Sequence, residues 1–127
     1  MIIDNKEMMI EIGEQQFHCA MDVTMHFIGG KWKTVVLWYL RTDKKRFSEL
    51  KAMMPQITEK MLSIQLKQLE EDGLIARTVH TSKPPLKVEY ALTDFGKSLI
   101  PLLNEIARWG RKTGKEKGKV ISAPTPR

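Results

Sequence analysis

Residues 46–75, RFSELKAMMPQITEKMLSIQLKQLEEDGLI, read as two helices joined by a tight turn. A first short helix fits residues 48–54, with Ser48 as N-cap, Glu49 in the positive first turn, and Leu50, Met53 and Met54 as its apolar side. Pro55 ends it, because a residue before proline avoids the α region, and Pro55-Gln56-Ile57 carries the chain to Thr58 as the next N-cap. The second helix fits residues 59–72 and stops at Gly73, which can take the left-handed conformation that helix ends favour. Thr58, Leu62, Leu66 and Leu69 recur on one stripe and are expected to pack on the first helix. Lys60, Ile64, Lys67 and Glu71 fall opposite, with Ser63 on the flank. Two short helices, the second presenting polar and basic side chains, match the arrangement that sets a recognition helix in the DNA major groove. An ordinary helical hairpin with a solvated charged face has the same local pattern, so the flanking sequence must decide.

The flank that follows favours the DNA reading. Residues 75–79 (IARTV) and 88–92 (VEYAL) alternate apolar and polar side chains around HTSKPPLK, a hairpin with a long, rigid, basic tip. Two strands directly after a helix-turn-helix form a wing that can lie beside the duplex. Lys83 and Lys87 are candidate phosphate contacts, and Thr81 and Ser82 can donate neutral hydrogen bonds to phosphates; a solvated loop is the alternative for this tip.

With 127 residues, the chain suits one domain with a real core. It has no apolar run of about 18 residues, the length a membrane helix needs, and no membrane partner is expected. The start, MIIDNKEMMIEIGE, carries acids where a signal peptide carries lysines, so a cytoplasmic location is the expectation. One cysteine excludes an internal disulfide framework and a cysteine-rich zinc site. The net charge of +6 is unevenly spread: residues 1–30 hold one base against five acids, and residues 31–91 hold twelve bases against seven. Basic charge thus gathers around the reading element, although the tail also contributes. Residues 112–127, Gly-, Pro- and Lys-rich, read as a disordered basic end adding at most non-specific phosphate attraction.

Residues 1–18 form an N-terminal arm in which MMIEIGEQQF suits a short strand or an irregular segment. Residues 19–27 offer Ala20, Val23, Met25 and Phe27 at partly helical spacing before the Gly29-Gly30 turn. Residues 31–40 resume as a helix with Trp32, Val35, Val36, Tyr39 and Leu40 on its apolar side, where the aromatic rings read as core. Thr93 caps a last helix over residues 94–111, kinked at Pro101, whose stripe comprises Phe95, Leu99, Leu102, Leu103, Ile106 and Trp109. That stripe is long for a helix that only covers a domain this size. With the apolar N-terminal segment it suggests a subunit interface, the alternative being a purely intramolecular core. The interface candidates are Val23, Phe27, Leu99, Leu102, Leu103, Ile106 and Trp109. Two-fold symmetry would let two recognition helices enter successive major grooves, about 34 Å apart.

The segments IGGKWKTVVLWYL, RFSELKAMMPQITEKMLSIQLKQLEEDGLIAR and PPLKVEYALTDFGKSL, closed by Trp109-Gly110, resemble the HxlR-type winged helix-turn-helix family of bacterial transcriptional regulators over residues 19–110. The resemblance implies an α+β, mostly α fold: a winged helix-turn-helix DNA-binding domain over residues 19–111 with flanking dimerisation helices. It further implies a homodimer on a roughly palindromic operator in double-stranded DNA, with the helix after Thr58 as reader and HTSKPPLK as wing. Some members of the family sense electrophiles or oxidants through a cysteine just before the first domain helix, the place that Cys19 occupies; the family commonly has proline next, where this chain has Ala20. A reactive cysteine needs its thiolate stabilised, which His18 and a following helix start would supply, whereas a lone cysteine is also often a buried small hydrophobe.

On the reader helix, Lys60 and Lys67 can take phosphate or guanine, Ser63 is tolerant, and Ile64 can pack on a thymine methyl, or else is a singly exposed apolar residue. Arg46 and Ser48, at the start of the first helix, can reach phosphate. An enzyme is not expected: there is no phosphate-binding glycine loop, and His18, His26, His80 and Cys19 form no triad. Clustering of His18, Cys19 and His26 as a metal site is weaker than the reading of unrelated residues, and no cofactor is expected. The competing class is a winged-helix module that docks protein instead of DNA; only a DNA reader should lose affinity steeply as salt rises.

Overall fold

The fold, taken from a computed structural model, is described for residues 2–3 and 6–122, with backbone alone at residues 2, 3, 6 and 7. Residues 1, 4 and 5 of the expected arm and residues 123–127 of the expected tail lie outside the described residues. The arm is built of small antiparallel pairs: β1 (Ile2–Ile3) with β2 (Lys6–Glu7), then β3 (Ile10–Ile12) with β4 (Gln15–Phe17). Gly13, at φ +59°, makes the second turn. Phe17 is buried and meets the His26 ring edge-on, which seats the arm on α1 (Ala20–Ile28).

The helix-turn-helix follows α2 (Lys33–Leu40) and consists of α3 (Phe47–Met53) and α4 (Glu59–Glu71). α3 begins two residues earlier than a Ser48 cap would place it: Arg46 is the N-cap, and its N–H donates to the Glu49 carboxylate (2.9 Å). Thr58 caps α4 as expected, its hydroxyl accepting from the Met61 N–H at 3.0 Å. The far end of α4 is closed by a Schellman motif. Gly73, at φ +77°, donates to the Glu70 carbonyl (3.0 Å), and Leu74 donates to that of Leu69 (3.0 Å). Leu69 and Leu74 are both fully buried, the apolar contact that accompanies such ends.

β5 (Ile75–Val79) and β6 (Val88–Leu92) pair antiparallel over all five residues, from Ile75 opposite Leu92 to Val79 opposite Val88. Lys45 adds a single bridge to Tyr90 on the outer edge, with N–H···O distances of 2.9 and 2.8 Å. Thr93 caps the next helix by accepting from the Gly96 N–H, and its hydroxyl donates to the Gly73 carbonyl at 2.6 Å, so the end of α4 and the end of the wing are tied together. Gly96 is buried there, and a Cβ on it would run into the Leu74 carbonyl oxygen.

The single kinked helix expected over residues 94–111 is instead two. α5 (Asp94–Lys97) ends at Ser98, and α6 (Ile100–Lys117) restarts with Pro101 in its first turn, where proline costs no hydrogen bond. α6 also runs six residues past Arg111, so residues 112–117, expected to be disordered, are helical.

The core gathers Val36, Leu37 and Leu40 of α2, Leu50 of α3, Leu62, Leu66 and Leu69 of α4, and Leu74, Ile75, Leu92 and Leu103 around them. Each such side chain removed from water contributes about 1.5–3 kcal/mol. Met25 and Met53, expected on apolar sides, are exposed, while Ile28 and Leu37 fill the interior.

Candidate nucleic-acid interface

Burial of the leucine face of α4 fixes what its other face can do. Leu62, Leu66 and Leu69 are sealed in the core, so Lys60, Ser63, Ile64, Lys67 and Glu71 all stand in solvent. Ile64 is 38% exposed, flanked by cations one turn to either side, so an apolar contact is offered at the middle of a polar surface. Thr58 stands at the start of this helix with its hydroxyl already taken by the cap. Arg46 and Ser48 are exposed at the N-terminus of α3.

The wing is braced where its strands give way to the tip, and the tip itself is exposed. Glu89, only 13% exposed, accepts from His80 Nε2 at 2.6 Å and lies 3.6 Å from Lys44 Nζ, so one carboxylate links both strands to the α2–α3 connection. Within the tip, the Thr81 hydroxyl donates to the Pro85 carbonyl (3.3 Å) and accepts from the Lys87 N–H (3.0 Å). Thr81 therefore organises the loop rather than standing free for a phosphate, as the sequence alone suggested. Ser82, Lys83 and the Lys87 side chain are exposed. Between α4 and the wing lies a cleft lined by Ser63, Lys67, Glu70, Arg77 and Tyr90. Arg77 was not anticipated, because strand alternation alone does not show which face of a hairpin turns toward the preceding helix.

The interface candidates divide. Leu103 is 2% exposed in this chain's own core, and Leu99 and Phe27 pack against that core, Phe27 meeting Phe95 edge-on at 5.3 Å. Val23 is half-buried. Leu102, Ile106 and Trp109 remain exposed on α6, Trp109 by 70%. Cys19 is the half-buried N-cap residue of α1, where its carbonyl accepts from the Val23 N–H (3.2 Å) and its sulfur makes no capping bond; the Asp22 carboxylate accepts from the His18 N–H at 2.9 Å. His26 meets Phe17 and Phe27 edge-on, and among the described residues no three His, Cys, Asp or Glu side chains gather as a metal site.

A helix-turn-helix whose second helix turns a polar, basic face outward, followed by a braced hairpin with a basic tip, defines a winged helix-turn-helix DNA-binding domain. The model of the HxlR-like helix-turn-helix family matches residues 27–118, and the chain belongs to that family. It is 43% identical over 109 residues to the uncharacterised HTH-type transcriptional regulator YdeP of Bacillus subtilis, covering 85% of this chain and 84% of YdeP. Among solved structures it is similar to the redox regulator HypR in its reduced form, with 41% identity, TM-score 0.70, and coverage of 73% of this chain and 91% of HypR. It is also similar to the reduced form of the transcriptional regulator YodB of B. subtilis, with 31% identity, TM-score 0.65, and coverage of 81% of this chain and 100% of YodB. The relatives are transcriptional regulators, a DNA-binding class and not an enzymatic one. No helix among the described residues is long and apolar enough to cross a membrane.

Proposed function

We propose that this regulator acts in the cytoplasm as a homodimer on a roughly palindromic operator, reading sequence with α4 and holding the backbone with α3 and the wing. The observation that carries the reading is the division of α4 into a sealed leucine face and an exposed face of Lys60, Ser63, Ile64 and Lys67. In the major groove, Ile64 packs on a thymine methyl while Lys60 takes guanine or phosphate. Arg46 and Ser48 contact phosphate from the α3 terminus, and Ser82, Lys83 and Lys87 do so from the wing tip. What supports the dimer is the exposed row of Leu102, Ile106 and Trp109 on α6, a surface that water penalises and a second copy would cover. The test is fluorescence anisotropy of the full chain with its own upstream intergenic DNA and with random duplex across a salt series. Tight, salt-steep binding that prefers the upstream DNA is expected; salt-insensitive binding with no preference would move the protein-docking reading to the front.

A second reading concerns Cys19. HypR has been solved in reduced and oxidised forms, and YodB with quinone bound. Cys19 is half-buried rather than sealed, and its sulfur sits at the start of α1 beside the segment that seats the arm. On this reading a quinone or disulfide-forming oxidant modifies Cys19 and alters DNA affinity. With one cysteine per chain, the product is an intersubunit disulfide or an adduct. Loss of operator binding under diamide, absent in Cys19→Ser, is the expected result; an unmodified Cys19 by mass spectrometry after treatment would end the idea.

A further inference from the structure

The cleft between α4 and the wing, about 290 Å³, brings together side chains that the reading above does not assign as a unit. Ser63, Lys67 and Glu70 recur at helical spacing and share one flank of α4. Arg77 and Tyr90 are directly opposed in the β5–β6 register and therefore stand on the same face of the hairpin. Two cations, two hydroxyls and one carboxylate thus border a single volume. Among the described residues, neither the Arg77 guanidinium nor the Lys67 ammonium forms an ion pair, although Glu70 lines the same space. The base of the hairpin is held on both sides: buried Leu74 and Ile75 anchor the start of β5, and the Lys45 bridge fixes Tyr90 from the outer edge. A cleft bordered by two cations on a fixed frame thus opens between the two elements that the DNA-binding reading sets against the duplex.

The geometry points to this cleft as a seat for one phosphodiester of the DNA backbone, with Arg77 as its main cation and Lys67 as the second. It rests on the DNA-binding reading and deepens it by separating Lys67, on the backbone, from Lys60 and Ile64, on the bases. The guanidinium fork matches two phosphate oxygens, the ammonium adds a point charge, and the Ser63 and Tyr90 hydroxyls donate neutral hydrogen bonds. Glu70 faces the same volume with the wrong sign for a phosphate. That carboxylate makes the seat weaker than its cations alone would, and it gives the test a second sign.

The test is the salt dependence of anisotropy for the full chain on a random-sequence duplex and on the upstream DNA, comparing wild type with Arg77→Gln, Arg77→Lys, Lys67→Gln and Glu70→Gln. Arg77→Gln is expected to weaken both DNAs by the same factor, about tenfold for each protomer's seat, and to lower the slope of log affinity against log salt by about 0.9 per seat, about 1.8 for a bound homodimer. Arg77→Lys keeps the slope but not the full affinity, because the charge remains and the fork is lost. Glu70→Gln is expected to tighten both DNAs, an outcome that a purely structural role for the cleft does not produce. Thermal unfolding checks that Arg77→Gln leaves the midpoint unchanged, as its exposure implies. If wild type binds with a steep slope and Arg77→Gln keeps that slope, or Glu70→Gln fails to tighten, the seat is overturned while the DNA reading stands. If wild type itself shows no salt-dependent DNA binding, both fall together.

Discussion

α4 and α6 are both amphipathic, yet they are finished to different degrees. The apolar face of α4 is completed by its own chain: Leu62, Leu66 and Leu69 are sealed, and what remains outside is polar apart from Met61 and Ile64. α6 commits Leu103 to the core and leaves Leu102, Ile106 and Trp109 in water on its outer side. A helix whose leucines are all spent inward is left with a mostly polar face for a charged, hydrated partner. One with apolar residues to spare is left with a face for another apolar surface. The difference teaches how one small fold can present two kinds of surface, a polar one that suits the proposed DNA contact and an apolar one that suits the proposed pairing with a second copy.

The sharpest way to break this contrast is in the core. Leu66→Ala should cost about 2–5 kcal/mol by thermal or urea unfolding, since it empties a sealed position in the core. Leu103→Ala should fall in the same range, although it belongs to α6, because it is buried within the chain. A cost near zero for Leu103 would return that residue to the subunit interface.

The next test separates the outer face of α6 from folding. If the proposed dimer forms through α6, Ile106→Glu is expected to convert it to monomer in sedimentation velocity while far-UV circular dichroism keeps its helical signal. Unchanged sedimentation would remove α6 from the proposed interface. On α4, Lys60→Ala and Ile64→Ala should each weaken upstream DNA by about 1–3 kcal/mol more than random duplex. Lys83→Ala should instead weaken both alike, and equal losses for all three variants would contradict the division into reader and wing. Thr58→Ala should cost about 1 kcal/mol of stability, read as a lowered unfolding midpoint, because the Met61 N–H loses its acceptor.

The helix-turn-helix and wing were legible because their boundaries are written in local chemistry. Pro55, Thr58, Gly73 and Thr93 each impose a stop or a cap within one turn of chain, and the structure uses Thr58, Gly73 and Thr93 in the expected roles. The C-terminal helix was less legible for the same reason in reverse. Pro101 is as acceptable in a first turn as at a kink, and only the tertiary tie from Thr93 to Gly73 and the packing of Gly96 on Leu74 place a break before it. Gly114 falls within residues 112–127, which read as a disordered tail, yet α6 passes through it to Lys117. At the candidate site, exposure of the α4 face followed from helical periodicity. The internal bonds of Thr81 and the position of Arg77 beside Lys67 depend on how the hairpin folds back, which spacing does not encode.

The central claim, that two copies of α4 read successive major grooves from one side of the duplex, is tested most directly by hydroxyl-radical footprinting on the upstream DNA. Two protected patches on the same face, about 34 Å apart and both weakened by Ile106→Glu, are the expected result. A single patch that Ile106→Glu leaves intact, or no protection where binding is saturated, would contradict it.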